Sequence, residues 1–468
     1  MSVGVDVDVV IVGAGAAGIA AAIELHKKSV PFVVLEARNR IGGRVCTDRE
    51  TFSPYPVDLG ASWIHLYGPK NPMYSFYQQL KHTKLVDLYN DNDDEDEDES
   101  KRLINIDYDG RPISDDLEHQ SKTICAQLFA YMEKFASSNG QQQDQSIESV
   151  MKLEYERLVG SQREIKRLVD NYFADIEVYE ASDFNNLSAV QWETVDTSSI
   201  SDKWVSFGYG TILDDIVKQH KLSIRLNTLV KHIDIRNSDR IVINTALDDY
   251  PIVCRRVLIT IPLGCLKKET ITFEPPLPEW KRNAIAQMGF GVLNKIVLQF
   301  SDCFWDPTKR YILRTCNEPR SRFHYVVCLP PPSNILILFV SGNDACALET
   351  LTDSETIQLA TCFLQRIFPE SFVPNVIKYK ITRWFKDSLS FGSYSNYAVG
   401  TNENTIELLA RTTANDRIHW AGEHTNIDDK TDQWTMGCVQ SAFQSGQRAA
   451  LSIQNQLRSC SNTQNNFE

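Results

Sequence analysis

The run Val9-Val10-Ile11-Val12 passes directly into Gly13-Ala14-Gly15-Ala16-Ala17-Gly18, and eighteen residues later Val33-Val34-Leu35 ends at Glu36. This pattern predicts an apolar strand, a glycine turn, a helix over the apolar-periodic stretch Ile19 to Leu25, and a second strand. Gly13, Gly15 and Gly18 let the backbone turn tightly and approach a pyrophosphate. The phosphates would sit at a helix N-terminus, among free N–H donors at the favourable end of the helix dipole. Glu36 is placed to accept hydrogen bonds from an adenosine ribose. Glycines also serve ordinary turns, so it is the flanking strand and helix that make this a dinucleotide-binding signature.

The next residues, Glu36-Ala37-Arg38-Asn39-Arg40-Ile41-Gly42-Gly43-Arg44, add a second glycine turn with arginines on either side. Such a turn suits a bulkier, tightly held cofactor. Arginine offers phosphate oxygens a planar fork of donors, which makes Arg44 a candidate clamp on the pyrophosphate. The alternative is a surface hairpin with solvated arginines.

With 468 residues, the chain has material for two or three domain-sized units. Its formal net charge of −13 argues against nucleic acid as a partner, since phosphate backbones are held by clustered Lys and Arg. That charge favours cationic ligands, although solubility accounts for it equally well. No basic, then apolar, cleavable leader precedes the first strand, and no apolar run approaches the roughly 20 residues that span a bilayer. The last residues do not form a peroxisomal tripeptide, so a cytoplasmic protein without a membrane segment is expected. Eleven cysteines lack paired metal-type spacing and fit reduced thiols, with neither a disulfide framework nor a metal site.

Residues 90–100 are almost continuously acidic, which predicts a self-repelling, mobile loop; recruitment of a polycation is the alternative. Leu117 to Asp175 reads as largely helical with a loop at Ser137 to Gln145. Strands are predicted at Leu226 to Ile235, Val257 to Ile261, Lys295 to Phe300 and Ile335 to Val340. Helices are predicted at Ser354 to Ile367, Asn404 to Arg411 and Val439 to Leu457.

Blocks spread along the chain are similar to those of the flavin-containing amine oxidases, most of all the polyamine oxidases. They are Val9 to Gly18, Leu35 to Arg44, Asp58-Leu59-Gly60-Ala61-Ser62-Trp63-Ile64-His65, Ile261 to Leu266, Gly289 to Lys295 and Trp420 to Thr425. The resemblance implies an α/β architecture in which a Rossmann-like FAD-binding domain is assembled from discontinuous segments (1–85, 205–290 and 390–468). An α+β substrate-binding domain would take 86–204 and 291–389. It also implies FAD at the domain interface. By matching position, Gly13, Gly15, Ala17 and Gly18 would hold the pyrophosphate, and Glu36 and Ala37 the adenosine ribose. Arg38, Gly43 and Arg44 would flank the phosphates, while Gly60, Ala61, Ser62 and Trp63 would lie along the flavin. Val230 would meet the adenine through its backbone, and Gly422 and Glu423 would approach the ribityl chain. Trp384 would pack on the flavin, and Cys438 and Val439 would aim a helix N-terminus at its pyrimidine end.

For the chemistry, the resemblance points to Lys295, an ammonium at the start of an apolar strand, where it is costly without partners. In similar enzymes this lysine holds a water beside flavin N5; a lysine snorkelling to solvent is the alternative. His65 would face the substrate amine, and Glu180 a distal substrate nitrogen. Tyr394 and Trp63 would wall the amine. A structural histidine, a solvated helix-end carboxylate and core aromatics are the plain alternatives. Leu389 and Cys438 stand where some relatives carry aromatics. Ser393 stands where monoamine oxidases carry the cysteine that binds flavin, which implies non-covalent FAD. The implied reaction is oxidation of a secondary amine of a small cationic polyamine (spermine, spermidine or an acetylated form), with hydride passing to flavin N5. Imine hydrolysis and reoxidation by molecular oxygen to hydrogen peroxide would follow. A histone lysine demethylase, a monoamine oxidase and a non-catalytic flavoprotein binding module are the alternatives.

Overall fold

The protein is seen as a computed structural model that describes residues 6–79, 85–86, 103–138, 144–192, 202–246, 250–315, 319–427 and 436–464. The acidic run 90–100 lies outside the described residues.

Val7–Val12 is a strand whose side chains alternate between two cores. Val9 and Ile11 join one apolar cluster, Val10 and Val12 another, so a sheet covered on both faces follows from an unbroken apolar run. This strand pairs in parallel with Phe32–Leu35 on one side and with Ile252–Ile259 on the other. The full sheet has eight strands. Ile252–Ile259 shares its far edge between two partners, antiparallel Ile241–Thr245 along its first half and parallel Ile418–Trp420 along its second.

Of Leu226 to Ile235, expected as one strand, only Val230–Asp234 is strand, and a separate one, Ile224–Arg225, lies just ahead of the run. Ile224–Arg225 pairs with Phe32–Leu35, whereas Val230–Asp234 pairs with Ile241–Thr245. Asn227, at φ +55°, breaks the run, and the intervening backbone crosses beneath the end of the second strand with Thr228 N donating to Glu36 O at 2.8 Å.

The helix Ala16–Lys27 lies between the first two strands in sequence, with Ala16 to Ile23 and Leu25 buried and His26 and Lys27 in its last turn, where cations suit the dipole. It packs against the final helix, Val439–Gln464. The approach is close: a Cβ at Gly446 would lie 2.0 Å from the Ala17 carbonyl oxygen. Each fully buried Ile or Leu in this interface contributes about 1.5–3 kcal/mol.

A second sheet has six strands in the order Val376–Ile381, Leu293–Phe300, Ile335–Ser341, Tyr325–Cys328, Tyr311–Arg314 and Leu103–Ile106. All of its pairings are antiparallel except the last. The expected helical region comprises Asp115–Ser138, Ile147–Val159 and Arg163–Tyr179, which enclose their own apolar cluster. Two small pairings lie among these units: Trp63–Ile64 with Lys203–Val205, and Gly289–Gly291 with Tyr394–Asn396.

Candidate active site

A cavity of about 960 Å³, lined from both sheets, runs from the C-terminal ends of Val7–Val12 and Phe32–Leu35 to the start of Leu293–Phe300. This is at the upper end of the ~300–1,000 Å³ of small-molecule sites.

One end is a backbone cradle. Gly13 has φ +111°, and a Cβ there would stand 2.6 Å from Thr260 Oγ1, so only glycine fits. Gly15 precedes the first helix in extended conformation and offers no side-chain cap. The first N–H groups of that helix, beside Gly15, Ala16 and Ala17, therefore meet the cavity uncapped. Gly18, expected among the residues that hold the pyrophosphate, does not line the cavity. A Cβ on it would lie 2.0 Å from Gly13 O, so its role here is close packing of helix on turn.

Glu36 accepts from Ala14 N at 2.7 Å and from Arg38 N at 2.8 Å, which fixes its carboxylate at the cavity edge. Ala37, Thr228, Leu229 and Val230 line the cavity beside it. Arg38 is paired with Asp387 at 2.9 Å. Arg44 donates to Ser393 O at 2.7 Å and Glu423 Oε1 at 2.9 Å, joining three distant parts of the chain. Burial opposes ionisation of Glu423, but the Arg44 guanidinium, His424 and the N–H of Gly437 outweigh it and hold this carboxyl below its usual value. Gly422, with φ +136°, makes the turn that delivers Glu423. Gly43, Gly60, Ala61, Ser62, Trp384, Cys438 and Val439 complete this part of the wall. Asn426 also lines it, with Nδ2 buried and unpartnered among the described residues.

These features fit a dinucleotide: glycines that admit no side chain, uncapped helix N–H groups, a fixed carboxylate and an unsatisfied amide donor. Ser393, at the position of covalent attachment in monoamine oxidases, instead binds the backbone of Leu293 through its hydroxyl.

At the other end, Lys295 is 4% exposed, and its Nζ donates to Asp58 O at 2.9 Å, Gly60 O at 2.6 Å and Ser62 Oγ at 2.5 Å. All three ammonium protons have protein acceptors, so a water on this lysine would have to share or displace one of them. Burial pushes the lysine down to about 8, opposed by nearby Asp58. Burial likewise pushes Asp58 up to about 6, against hydrogen bonds from Thr47 and Tyr209 N and the Lys295 charge. Between these values both groups are charged.

Around Lys295 stand Trp63 and Phe339, with ring centroids 6.0 Å apart, and Tyr325, 5.5 Å from Phe339. Register explains the arrangement, because Lys295 pairs directly with Phe339 across the sheet. Tyr394 forms another wall. Its hydroxyl donates to Tyr179 O at 2.8 Å and Val178 O at 3.1 Å, capping the helix Arg163–Tyr179. Glu180 follows that helix into the cavity. His65 lines the same end and is bonded through Nδ1 to Asp202 at 2.7 Å. Trp384 is fixed by Nε1 donating to Leu59 O at 3.2 Å.

All candidate residues except Gly18 therefore meet in one cavity. Sequence reasoning missed Tyr325, Phe339, Gln191, Thr228, Thr260 and Asn426 in its wall and Asp202 behind it. Strand pairing carries Phe339 to Lys295, and no local motif announces it. Among the described residues no group of three or more His, Cys, Asp or Glu is arranged to hold a metal, and no helix is long and apolar enough to cross a membrane.

Comparison with known proteins agrees with this geometry. The family profile described as flavin containing amine oxidoreductase matches residues 16–453. Polyamine oxidase 2 of Arabidopsis thaliana is 31% identical over 94% of this chain and 87% of its own. Polyamine oxidase 3 of Oryza sativa subsp. japonica is 31% identical over 94% and 88%. Lysine-specific histone demethylase 1 homolog 3 of Arabidopsis thaliana is 30% identical over 96% of this chain but only 30% of its own length. A solved structure of a redesigned putrescine oxidase superposes with a TM-score of 0.73 at 20% identity, covering 96% of this chain and 99% of that one; it shows a shared fold. The chain belongs to the flavin-containing amine oxidoreductases, and its cofactor is FAD.

Proposed function

We propose that the protein oxidises a secondary amine of a polyamine. The observation that carries this reading is the amine end of the cavity: aromatic walls from Trp63, Phe339, Tyr325 and Tyr394, the His65 imidazole and the Glu180 carboxylate, continuous with the cofactor cradle. The polyamine oxidase relatives support it.

When bound, FAD supplies the two-electron acceptor, taking hydride from the carbon beside the nitrogen and passing the electrons to oxygen, which leaves as hydrogen peroxide. The chain's own residues set up that transfer. A protonated amine has no lone pair with which to expel hydride, and deprotonating one of pKa near 10 at pH 7 costs about 4 to 5 kcal/mol. Aromatic walls lower that cost by disfavouring the charged form. Glu180 pairs with a distal nitrogen that stays cationic and so sets how far the substrate enters. Lys295 holds the Asp58-to-Ser62 turn against the flavin position through its three hydrogen bonds and presents positive charge there. FAD is held without a covalent bond, and acid precipitation should leave a colourless pellet; a yellow one would refute this.

The test is anaerobic mixing of the yellow protein with spermine, spermidine, their N1-acetyl forms and benzylamine, following flavin absorbance. Rapid bleaching by a polyamine supports the reading, and the order of rates identifies the substrate. No bleaching by any amine, while dithionite still bleaches, overturns it and directs the search to methylated lysine peptides.

A further inference from the structure

Trp63–Ile64 runs antiparallel to Lys203–Val205, with Trp63 opposite Trp204 and Ile64 opposite Lys203. One further step of this register sets His65 opposite Asp202, and there the ring Nδ1 meets Asp202 Oδ2 at 2.7 Å. His65 lines the amine end of the cavity and Asp202 does not, so the imidazole stands between the carboxylate and the substrate space. The backbone is pinned as well: His65 O accepts from Asn71 Nδ2 at 3.0 Å, and Leu66 turns away at φ +53°.

An ionised carboxylate has no proton to give, so the hydrogen in this bond belongs to Nδ1. A neutral imidazole then carries its lone pair on Nε2. Among the described residues Nε2 has no hydrogen-bond partner. Asp202 Oδ1 is buried and likewise takes no hydrogen bond among them. A buried carboxylate oxygen left unsatisfied is costly, and the hydrogen bond that Asp202 does make, through Oδ2, is to this ring. The titratable groups adjoining this pair in the chain are Lys203, Tyr67 and Lys70, and those lining the cavity with His65 around its aromatic walls are Lys295, Glu180, Tyr179, Tyr325 and Tyr394.

We infer that Asp202 is a positioning residue that fixes the tautomer of His65, so that Nε2 accepts the proton of the substrate's reacting ammonium before oxidation. One N–H bond of the ammonium breaks and one Nε2–H bond forms. The substrate nitrogen keeps the electron pair, and the positive charge moves to the imidazolium that faces Asp202. Nothing is oxidised or reduced in this step. It rests on the reading of the site as one that oxidises cationic amines.

The experiment is anaerobic flavin reduction by the best polyamine, as a function of pH, in the wild type, Asp202→Asn, His65→Ala and the double variant. An amide can donate to Nδ1 and turn the ring over to the wrong tautomer. Asp202→Asn should therefore slow reduction about 100-fold near neutral pH. The deficit should shrink at about pH 10, where the substrate loses its proton to water. In the His65→Ala background, Asp202→Asn should have no further effect. Visible circular dichroism of the bound flavin checks that each variant keeps its site. Unchanged reduction in Asp202→Asn, a deficit equal at every pH, or a full additional loss in the His65→Ala background would each overturn the inference. A wild type that no polyamine bleaches would instead overturn the substrate reading on which it rests, so the two failures are distinguishable.

Discussion

The two ends of the cavity are built from different materials. At the dinucleotide end the wall is mostly main chain: Gly13, Gly15 and Gly43, the uncapped start of a helix, and the crossing segment Thr228 to Val230. At the amine end it is mostly side chain, with Trp63, His65, Phe339, Tyr325, Tyr394 and Glu180 projecting from five separate segments of the chain. Main chain recognises what all members of a cofactor class share, a pyrophosphate and a ribose. Side chains recognise what differs between substrates, and they change without disturbing the fold.

That division can be broken most severely at Gly13. Gly13→Val forces a side chain into φ +111° and onto Thr260 Oγ1, and the purified protein should lose bound FAD entirely, read from its visible absorbance. A yellow Gly13→Val protein would show that the cradle is more forgiving than its geometry. Next is Arg44→Ala, which strands the buried Glu423 carboxylate, 3% exposed, without its partner. Removing one member of such a pair costs about 3–5 kcal/mol, visible as a lower melting temperature together with weaker FAD retention.

Lys295→Met tests the opposite end. It should keep flavin while reduction or reoxidation slows by about 100-fold, since the ammonium holds the Asp58-to-Ser62 turn and makes no hydrogen bond to the glycine cradle among the described residues. Loss of flavin in this variant would erase the distinction between the two ends. The same variant sharpens a pH effect. The folded Lys295 sits at about 8, below its unfolded value, so between about pH 8 and 10 the unfolded chain binds more protons than the folded one. Lys295's cost to stability therefore falls as pH rises through that window, by on the order of 3 kcal/mol, and the Met variant should lack this rise in chemical denaturation.

The smallest effect belongs to Tyr394→Phe, which keeps the aromatic wall but removes the hydrogen bonds to Val178 O and Tyr179 O. A loss of about 1 kcal/mol, seen as a several-fold rise in KM with kcat nearly unchanged, is expected. A large fall in kcat would mean that the hydroxyl takes part in the chemistry.

The same division governs what could be read from the amino-acid sequence. The cradle was legible because a backbone shape needs glycine at set intervals, and the strand before Gly13 and the helix after it announce themselves by their apolar patterns. Even there Gly18 serves packing, and the Leu226 to Ile235 run is strand only from Val230 to Asp234 because the left-handed Asn227 turns the chain under Glu36. Lys295 was legible as a charge in an apolar strand. Phe339 and Tyr325 were not, because each is one apolar or aromatic residue in a strand full of them, and only antiparallel pairing brings Phe339 beside Lys295. Asp202 is a solitary acid in sequence and gains meaning from the register that sets it opposite His65.

The packing of Ala16–Lys27 against Val439–Gln464, tight enough that Gly446 touches the Ala17 carbonyl, has a consequence for how the molecule is made. A ribosome releases the glycine turn long before the helix that backs it. Domains tend to fold as they emerge, N-terminal parts first. Here the nucleotide pocket lacks the wall at Cys438, Val439 and Ala442 until Val439–Gln464 has been made, so flavin is expected to load only after that helix is in place. Chains cut short before Val439 would accumulate colourless, with their first apolar helix exposed to the cell's quality control.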